Sequence, residues 1–448
     1  MENIKKTEVN YPYLEKPVAI YERSCGHKIV FAYKKGSLIN ISSWVKTGSI
    51  NENDENNGIS HFLEHLMFKG TSKHKAGEFD RTLESRGAIV NAATWKDYTF
   101  YYVTIPIGSD DRNFRDTLEL HADMMLDPVI PACEIGEPFD LNNPKITTKR
   151  ERHVVIEEIR MRKDQPWTKV YNQANRNMYT NHPYKRDVIG TEQIISTITR
   201  ETVLDYYKTH YTPNNITTII AGDVNPDEML PIIAKEFDFK GRENRINKVY
   251  EFDKPTNETK LVETYSNINT GFLMFSYLGS PASNIKTSTV LEMIALILGQ
   301  GQSSRLYQDL IEKPSKPIFN VISTDYYHFR DGGNLFIQAN FKPEEKDNAI
   351  NLIKEEVEKI INDGITEKEL KKAKKKLKAG FAENSETVSD IGETIGFYMT
   401  VCDNLECVEE YINVIDKITS DDIKNAAGKY LALNHAVISV LMPESYKQ

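Results

Sequence analysis

Cysteine is scarce. Cys25, Cys133, Cys402 and Cys407 are the only four in the chain, too few for a disulfide framework and in no zinc-ribbon spacing. Two buried thiols are the expected state of Cys402 and Cys407, and a reducing cytoplasm is the expected compartment. No run of about eighteen apolar residues exists, so no membrane-spanning helix is expected. The opening residues, MENIKKTEVNYPYLEKP, lack the apolar stretch of a secretory signal and are poor in the Arg and Ser of a transit peptide. Positive charge is not in excess either. The formal charge is −9 and the pI about 5.7, which argues against nucleic acid as a partner because phosphate binding needs a basic face. The lysine run 371–378 reads as the solvated side of an amphipathic helix. No Walker loop is present, and GQGQSS (299–304) follows a helical pattern rather than a strand, so it lacks the nucleotide-binding context.

What is present is an ordinary globular balance, 40% hydrophobic and 27% charged, in a chain long enough for more than one core. Strand-like segments open it (VAIYERS, HKIVFAYK, LINISSWVKTGS). Helical patterns follow in ISHFLEHLMFKG, stopping at Gly70, and GEFDRTLESRG, stopping at Gly87. IVNAATWKDYTFYYVTI reads as two strands about a turn at Lys96-Asp97, and NITTIIAGDV as a further strand. After a polar connector the plan repeats: GFLMFSYLGS parallels NISSWVKTGS, and TSTVLEMIALILGQG parallels GISHFLEHLMFKG. A capping box is expected at Thr366 and Glu369. The expected fold class is α+β: two similar domains, each a mostly antiparallel sheet of about six strands with helices on one face. Residues 1–240 form the first, 241–260 a linker, and 261–448 the second.

The chemistry is concentrated at His61-Phe62-Leu63-Glu64-His65. On a helix, His61 and His65 stand at i and i+4 on one face, with Cβ atoms about 5–6 Å apart. Two imidazole nitrogens so placed can share one Zn²⁺. Glu64 stands beside such a metal without having to bind it, placed to take a proton from an activated water. This is H-x-x-E-H, the reverse of the H-E-x-x-H motif. The bland alternative is a pair of ordinary helix histidines with a surface glutamate. Against it, Phe62, Leu63, Leu66, Met67 and Phe68 make the rest of the helix apolar, so a polar triplet within it needs a reason.

A third ligand should be a carboxylate from another helix, and ERHVVIEEIRMRKD offers Glu151, Glu157 and Glu158. Glu151 and Glu158 share a face over two turns, while Glu157 turns away toward solvent. Glu158 is assigned as the third metal ligand. Glu151 joins Glu64 as a candidate catalytic carboxylate, acting by hydrogen-bonding a ligating imidazole. His153 lies off that face and reads as a surface residue. Three protein ligands leave an open position, the layout of a catalytic zinc site.

GISHFLEHLMFKGT (58–71) closely resembles the signature of the pitrilysin/insulinase zinc peptidases. It is most like the small two-domain members, of the kind of the mitochondrial processing peptidase β subunit and its bacterial relatives. The likeness continues through NAATWKDYTFYY (91–102), ERHVVIEEIRM (151–161), HPYKRDVIGT (182–191), HYTPNNITTIIAGDV (210–224) and GQSSRLYQDL (301–310). It implies a zinc metalloendopeptidase acting on unfolded or precursor peptides within a two-halved chamber. Zn²⁺ would be held by His61, His65 and Glu158, with Glu64 as base and Glu151 in support. It also implies that peptide adds as a strand along Asn91, Ala92 and Thr94. Two departures stand out. Residues 131–149 lengthen the path from His65 to Glu158 beyond the family's usual gap. And alignment on SSRLYQDL puts Ile311 and Ile318 where the family carries an Arg/Tyr pair that stabilises the oxyanion, with Arg305 and Tyr307 belonging to the preceding part of the motif. The expectation that follows is a dimer, specifically a heterodimer with a zinc-less paralogous subunit supplying that pair. The competing reading is a non-catalytic scaffold on the same fold.

Overall fold

The computed structural model describes residues 4–108, 112–142 and 150–447. The chain forms two compact units. The first holds the residues up to Arg160, Asp187–Val249 and Ala382–Glu409; the second holds Met161–Arg186, Tyr250–Phe381 and the residues from Glu410 onward.

In the first unit, strands β1 (Lys5–Val9), β2 (Val18–Glu22), β3 (Lys28–Tyr33), β4 (Leu38–Val45), β5 (Ile89–Thr94), β6 (Thr99–Pro106) and β7 (Ile216–Gly222) form one sheet. Its order is β1-β2-β3-β7-β4-β6-β5. Every pairing is antiparallel except β3 with β7. The second unit's sheet has β8 (Lys260–Ser266), β9 (Gly271–Gly279), β10 (Phe319–His328), β11 (Gly333–Phe341) and β12 (Val437–Pro443), in the order β10-β11-β9-β12-β8. Here β12 and β8 are the parallel pair. The second order reproduces β5-β6-β4-β7-β3 strand for strand, so the internal repeat read from the sequence is a repeat of topology. The first sheet adds β1 and β2 at the far edge.

The central strands of each sheet are buried on both faces. In β4, side chains alternate across the pleat. Ile39, Ile41 and Val45 enter the core with helices Ile59–Met67, Arg112–Leu126 and Arg200–His210. Asn40, Ser42 and Trp44 point to the other face, where the helix Val388–Phe397 lies across β4 and β7. Gly392 and Gly396 let that helix approach closely: a Cβ at Gly392 would stand 2.6 Å from Asn40 Oδ1, and one at Gly396 would land on the Trp44 indole. The matching helix of the second unit, Pro166–Met178, packs on β9 and β12, with Trp167 edge-on to Phe272 at 4.9 Å. Each unit thus takes one helix from the far side of the 241–260 connector. An amphipathic pattern marks a helix as packed but does not say on which sheet.

The capping box at Thr366 and Glu369 forms, with the Thr366 amide donating to Glu369 at 2.8 Å and the Glu369 amide to the Thr366 hydroxyl at 3.3 Å. Cys402 and Cys407 are buried free thiols.

Candidate metal centre

The helix Ile59–Met67 packs against β5 and β6. Phe62, Leu63, Leu66 and Met67 are all but fully buried. Each is worth about 1.5–3 kcal/mol relative to exposure, and together they fix the rotation of the helix. That rotation brings His61, Glu64 and His65 to the opposite side. The two imidazoles stand with ring centroids 4.7 Å apart and planes at 68°.

Glu158 comes from the helix Glu151–Lys163, whose Val155, Ile156 and Ile159 enter the same core. Glu158 Oε2 lies 3.6 Å from His61 Nε2 and 3.5 Å from His65 Nε2. The ligand atoms of His61, His65 and Glu158 all lie within 4.8 Å of one another, and this is the one such group among the described residues. A tetrahedral zinc with bonds of ~2.0–2.1 Å has ligand–ligand edges of ~3.3–3.4 Å. Two borderline nitrogens and one hard oxygen at this spacing fit a divalent transition metal of the zinc type.

Glu151 lies two turns earlier than Glu158 on the same helix. One of its oxygens meets His65 Nδ1 at 2.9 Å and the other meets Lys69 Nζ at 2.6 Å. With Nδ1–H committed to Glu151, Nε2 is the nitrogen left facing Glu158, the one that binds a metal once its proton is displaced. Burial pulls the His65 pKa down, but the hydrogen bonds to Glu151 and Glu158 and the charges of Glu64 and Glu151 outweigh it and hold the pKa up at about 9. Burial pushes Glu151 up; His65 and Lys69 outweigh it and keep this carboxyl below its ordinary value. The same negative field that favours a proton here favours a dication.

Glu64 is buried and accepts a hydrogen bond from the Thr94 hydroxyl at 2.5 Å. Of the three residues expected along a bound peptide, Asn91 is exposed and Ala92 half-buried on β5, whereas Thr94 is buried with its hydroxyl turned to Glu64. Among the described residues β5 ends the sheet and pairs with β6 alone. Glu157 points outward to Arg160 at 2.7 Å. His153 is not the plain surface residue expected: it is half-buried, its Nδ1 accepts the Arg150 amide at 3.3 Å, and its ring leans on Phe139.

Of the 131–149 segment, residues 143–149 lie outside the described part. The rest includes the short helix Ala132–Ile135, and Glu134 accepts the Glu151 amide at 3.0 Å, capping the carboxylate helix. Ile311 and Ile318 are half-buried in the second unit. Arg305 is clasped by Glu369 at 2.6 and 2.9 Å and donates to the Gly364 carbonyl at 2.9 Å, so its guanidinium is committed within its own unit. Sequence reasoning missed Lys69, the orientation of Thr94 and the cap from Glu134. Only Lys69 had a local signal, standing four residues after His65 in the helical pattern, although the helix itself ends at Met67.

Residues 28–192 match the family described as "Insulinase (Peptidase family M16)", and residues 197–377 match "Peptidase M16 inactive domain". The chain is 27% identical over 399 residues to "Uncharacterized zinc protease YmxG" of Bacillus subtilis, covering 89% of this chain and 91% of that one. It is 27% identical over 415 residues to "Zinc protease PqqE" of Helicobacter pylori, covering 91% and 88%. A solved protease from Helicobacter pylori superposes with a TM-score of 0.83 at 25% identity, over 98% of this chain and 100% of that one. A solved "peptidase M16 inactive domain" from Pseudomonas fluorescens gives the same TM-score at 18% identity, over 98% of each chain, and speaks for the fold alone.

Proposed function

Because the chain belongs to the pitrilysin/insulinase (M16) family of peptidases, we propose that it is a zinc metalloendopeptidase for unfolded or precursor peptides. The observation that carries this reading is the convergence of His61 Nε2, His65 Nε2 and a Glu158 oxygen, with the Glu64 carboxylate on the same helix face. His61, His65 and Glu158 would hold the ion. When bound, zinc polarises the scissile carbonyl and makes water a nucleophile near neutral pH. Glu64 is the general base: its carboxylate takes a proton from the attacking water and later delivers it to the leaving amine. Thr94, by holding Glu64 Oε2, sets the direction in which that carboxylate works. Glu151 orients His65 and shares its charge with Lys69.

Peptide would add as an antiparallel strand on the outer edge of β5, past Asn91 and Ala92. Main-chain hydrogen bonds would supply affinity with weak sequence dependence. With Ile311 and Ile318 at the positions of the family's Arg/Tyr pair, the chain lacks that source of oxyanion stabilisation, a loss on the order of 10²–10³ in rate. The proposal therefore includes a zinc-less paralogous subunit that supplies it, in the cytoplasm. Those same two isoleucines are what favours the second reading, a non-catalytic scaffold.

The test is cleavage of unstructured peptides by wild type and Glu64→Gln, with and without chelator, alone and mixed with a zinc-less paralogue. The expected result is chelator-sensitive cleavage that Glu64→Gln abolishes while keeping its zinc, and that the paralogue raises. Full-rate cleavage by the purified chain alone removes the partner from the proposal. No cleavage in any mixture replaces the enzyme with the scaffold.

A further inference from the structure

The helix that bears His61, Glu64 and His65 starts without a side-chain cap. Its N-cap residue is Gly58, in the left-handed region at φ +98°. No side chain fits there, because a Cβ would stand 2.6 Å from the Ile189 carbonyl oxygen and 2.9 Å from Gly190 Cα. The Ser, Thr, Asp or Asn that ordinarily satisfies the first free amides of a helix is thereby excluded.

A carboxylate six residues upstream does that work. Glu52 is 3% exposed. Its Oε2 accepts the Gly58 amide at 2.7 Å and the Asn57 side-chain amide at 2.7 Å, and its Oε1 accepts the Ser60 amide at 2.9 Å. A negative charge at this end also suits the helix dipole. The same Asn57 amide group donates to the Asp187 carbonyl at 2.8 Å, tying the cap to the 187–190 loop that presses on Gly58. Lys96 is buried within the same unit; burial pulls its pKa down to about 8, and the charges of Asp187, Asp97 and, least of the three, Glu52 work against that. Ser60, held by Glu52 through its amide, passes the constraint on through its hydroxyl to Tyr206 at 2.7 Å.

We infer that Glu52 is a positioning residue for the metal centre, locking the first turn of the Ile59–Met67 helix so that His61 and His65 present their nitrogens at the spacing the ion needs. It touches neither ion nor substrate. The inference rests on the reading of this site as a zinc site. Small displacements at such a centre are costly, since ligand orientation by outlying groups is worth about 10–100-fold in metal affinity.

The experiment compares full-length wild type, Glu52→Gln, Glu52→Asp and Ile233→Val, a core change in the same unit that serves as a stability control. Zinc affinity is measured by competition with a chromophoric chelator, and amide exchange of Gly58 and Ser60 by hydrogen–deuterium exchange. Glu52→Gln sets an NH₂ group among donors and is expected to weaken zinc binding about tenfold or more. Glu52→Asp should recover part of the loss, and Ile233→Val should leave affinity at the wild-type value. In wild type, the Gly58 and Ser60 amides should exchange slowly, and in Glu52→Gln faster while β7 stays protected. Zinc affinity unchanged in Glu52→Gln, or weakened no more than in Ile233→Val, overturns the inference. So do Gly58 and Ser60 amides that exchange at loop rates in wild type, a readout that holds even if the variant does not fold. Failure to cleave peptides, with these zinc and exchange results intact, removes the peptidase reading and leaves the positioning role standing.

Discussion

The helix Ile59–Met67 of the first unit and the helix Ile285–Gly299 of the second each follow the central strand of the same five-strand order, β4 in one and β9 in the other. The first carries His61, Glu64 and His65; the second is apolar through Met293–Leu298 and buried throughout that stretch. The carboxylate helix of the first unit and its counterpart in chain order in the second differ in the same sense. Glu151–Lys163 brings carboxylates, with Glu151 on His65 and Lys69. Its counterpart in chain order, Glu367–Glu383, brings lysines, and Lys376 and Lys372 donate to the Gln300 and Ser303 carbonyls at 3.0 and 2.5 Å. A cation on the Gln300 carbonyl, at the C-cap of the Ile285–Gly299 helix, suits the helix dipole. The comparison teaches that the topology provides the place, and that the residues planted at one crossing of helices turn a packing contact into a centre for a cation.

The largest effect that would sharpen this contrast is loss of a ligand. His65→Ala should reduce zinc from about one per chain to near zero by elemental analysis after dialysis, whereas Glu292→Gln on the second unit's helix should leave it unchanged. Equal retention by both variants would break the contrast. Next is the carboxylate that orients an imidazole: Glu151→Gln should weaken zinc binding by about 10–100-fold without abolishing it, measured by chelator competition. Smaller again is the packing of the borrowed helix. Gly396→Ala forces a methyl onto the Trp44 ring and should lower unfolding stability by about 1–3 kcal/mol in urea titrations followed by tryptophan fluorescence.

The last prediction addresses the second unit's own charges. Arg305→Ala removes charge-assisted hydrogen bonds to Glu369 and should cost about 1.5–3 kcal/mol at pH 7, with zinc affinity unaltered. Burial pushes the Glu369 carboxyl up, but Arg305 and the Thr366 amide outweigh it and hold its pKa at about 2. A carboxylate whose pKa is lower folded than unfolded stabilises the fold above its unfolded pKa, about 4.5, and stops doing so as pH falls toward 2. The gap between wild type and Arg305→Ala should therefore narrow from pH 7 to pH 3. A gap that stays constant would mean that Glu369 is not what Arg305 holds.

Much of this was legible in the chain because it depends on local period. An i, i+4 pair of histidines on an apolar helix, two glutamates sharing a face seven residues apart, alternating strands, and the Thr366–Glu369 box are written in short windows of sequence. The exchange of Pro166–Met178 and Val388–Phe397 between units was not, because an apolar face has no address. Nor was the inward turn of Thr94: strand alternation says that it faces the opposite side from Ala93, but only the packed helix shows that Glu64 waits there. Nothing local marked Glu52, and only folding revealed it as the cap that Gly58 cannot provide.

The sequence by itself determined which residues have the chemistry to hold a cation and move a proton, because side-chain type and helical period are local properties. The tertiary structure alone decided which carboxylate reaches which imidazole, which hydroxyl holds the base and which buried charge fixes the helix start. Those contacts join residues far apart in the chain, and their geometry is set by how helices and sheet pack, which no short stretch of sequence contains.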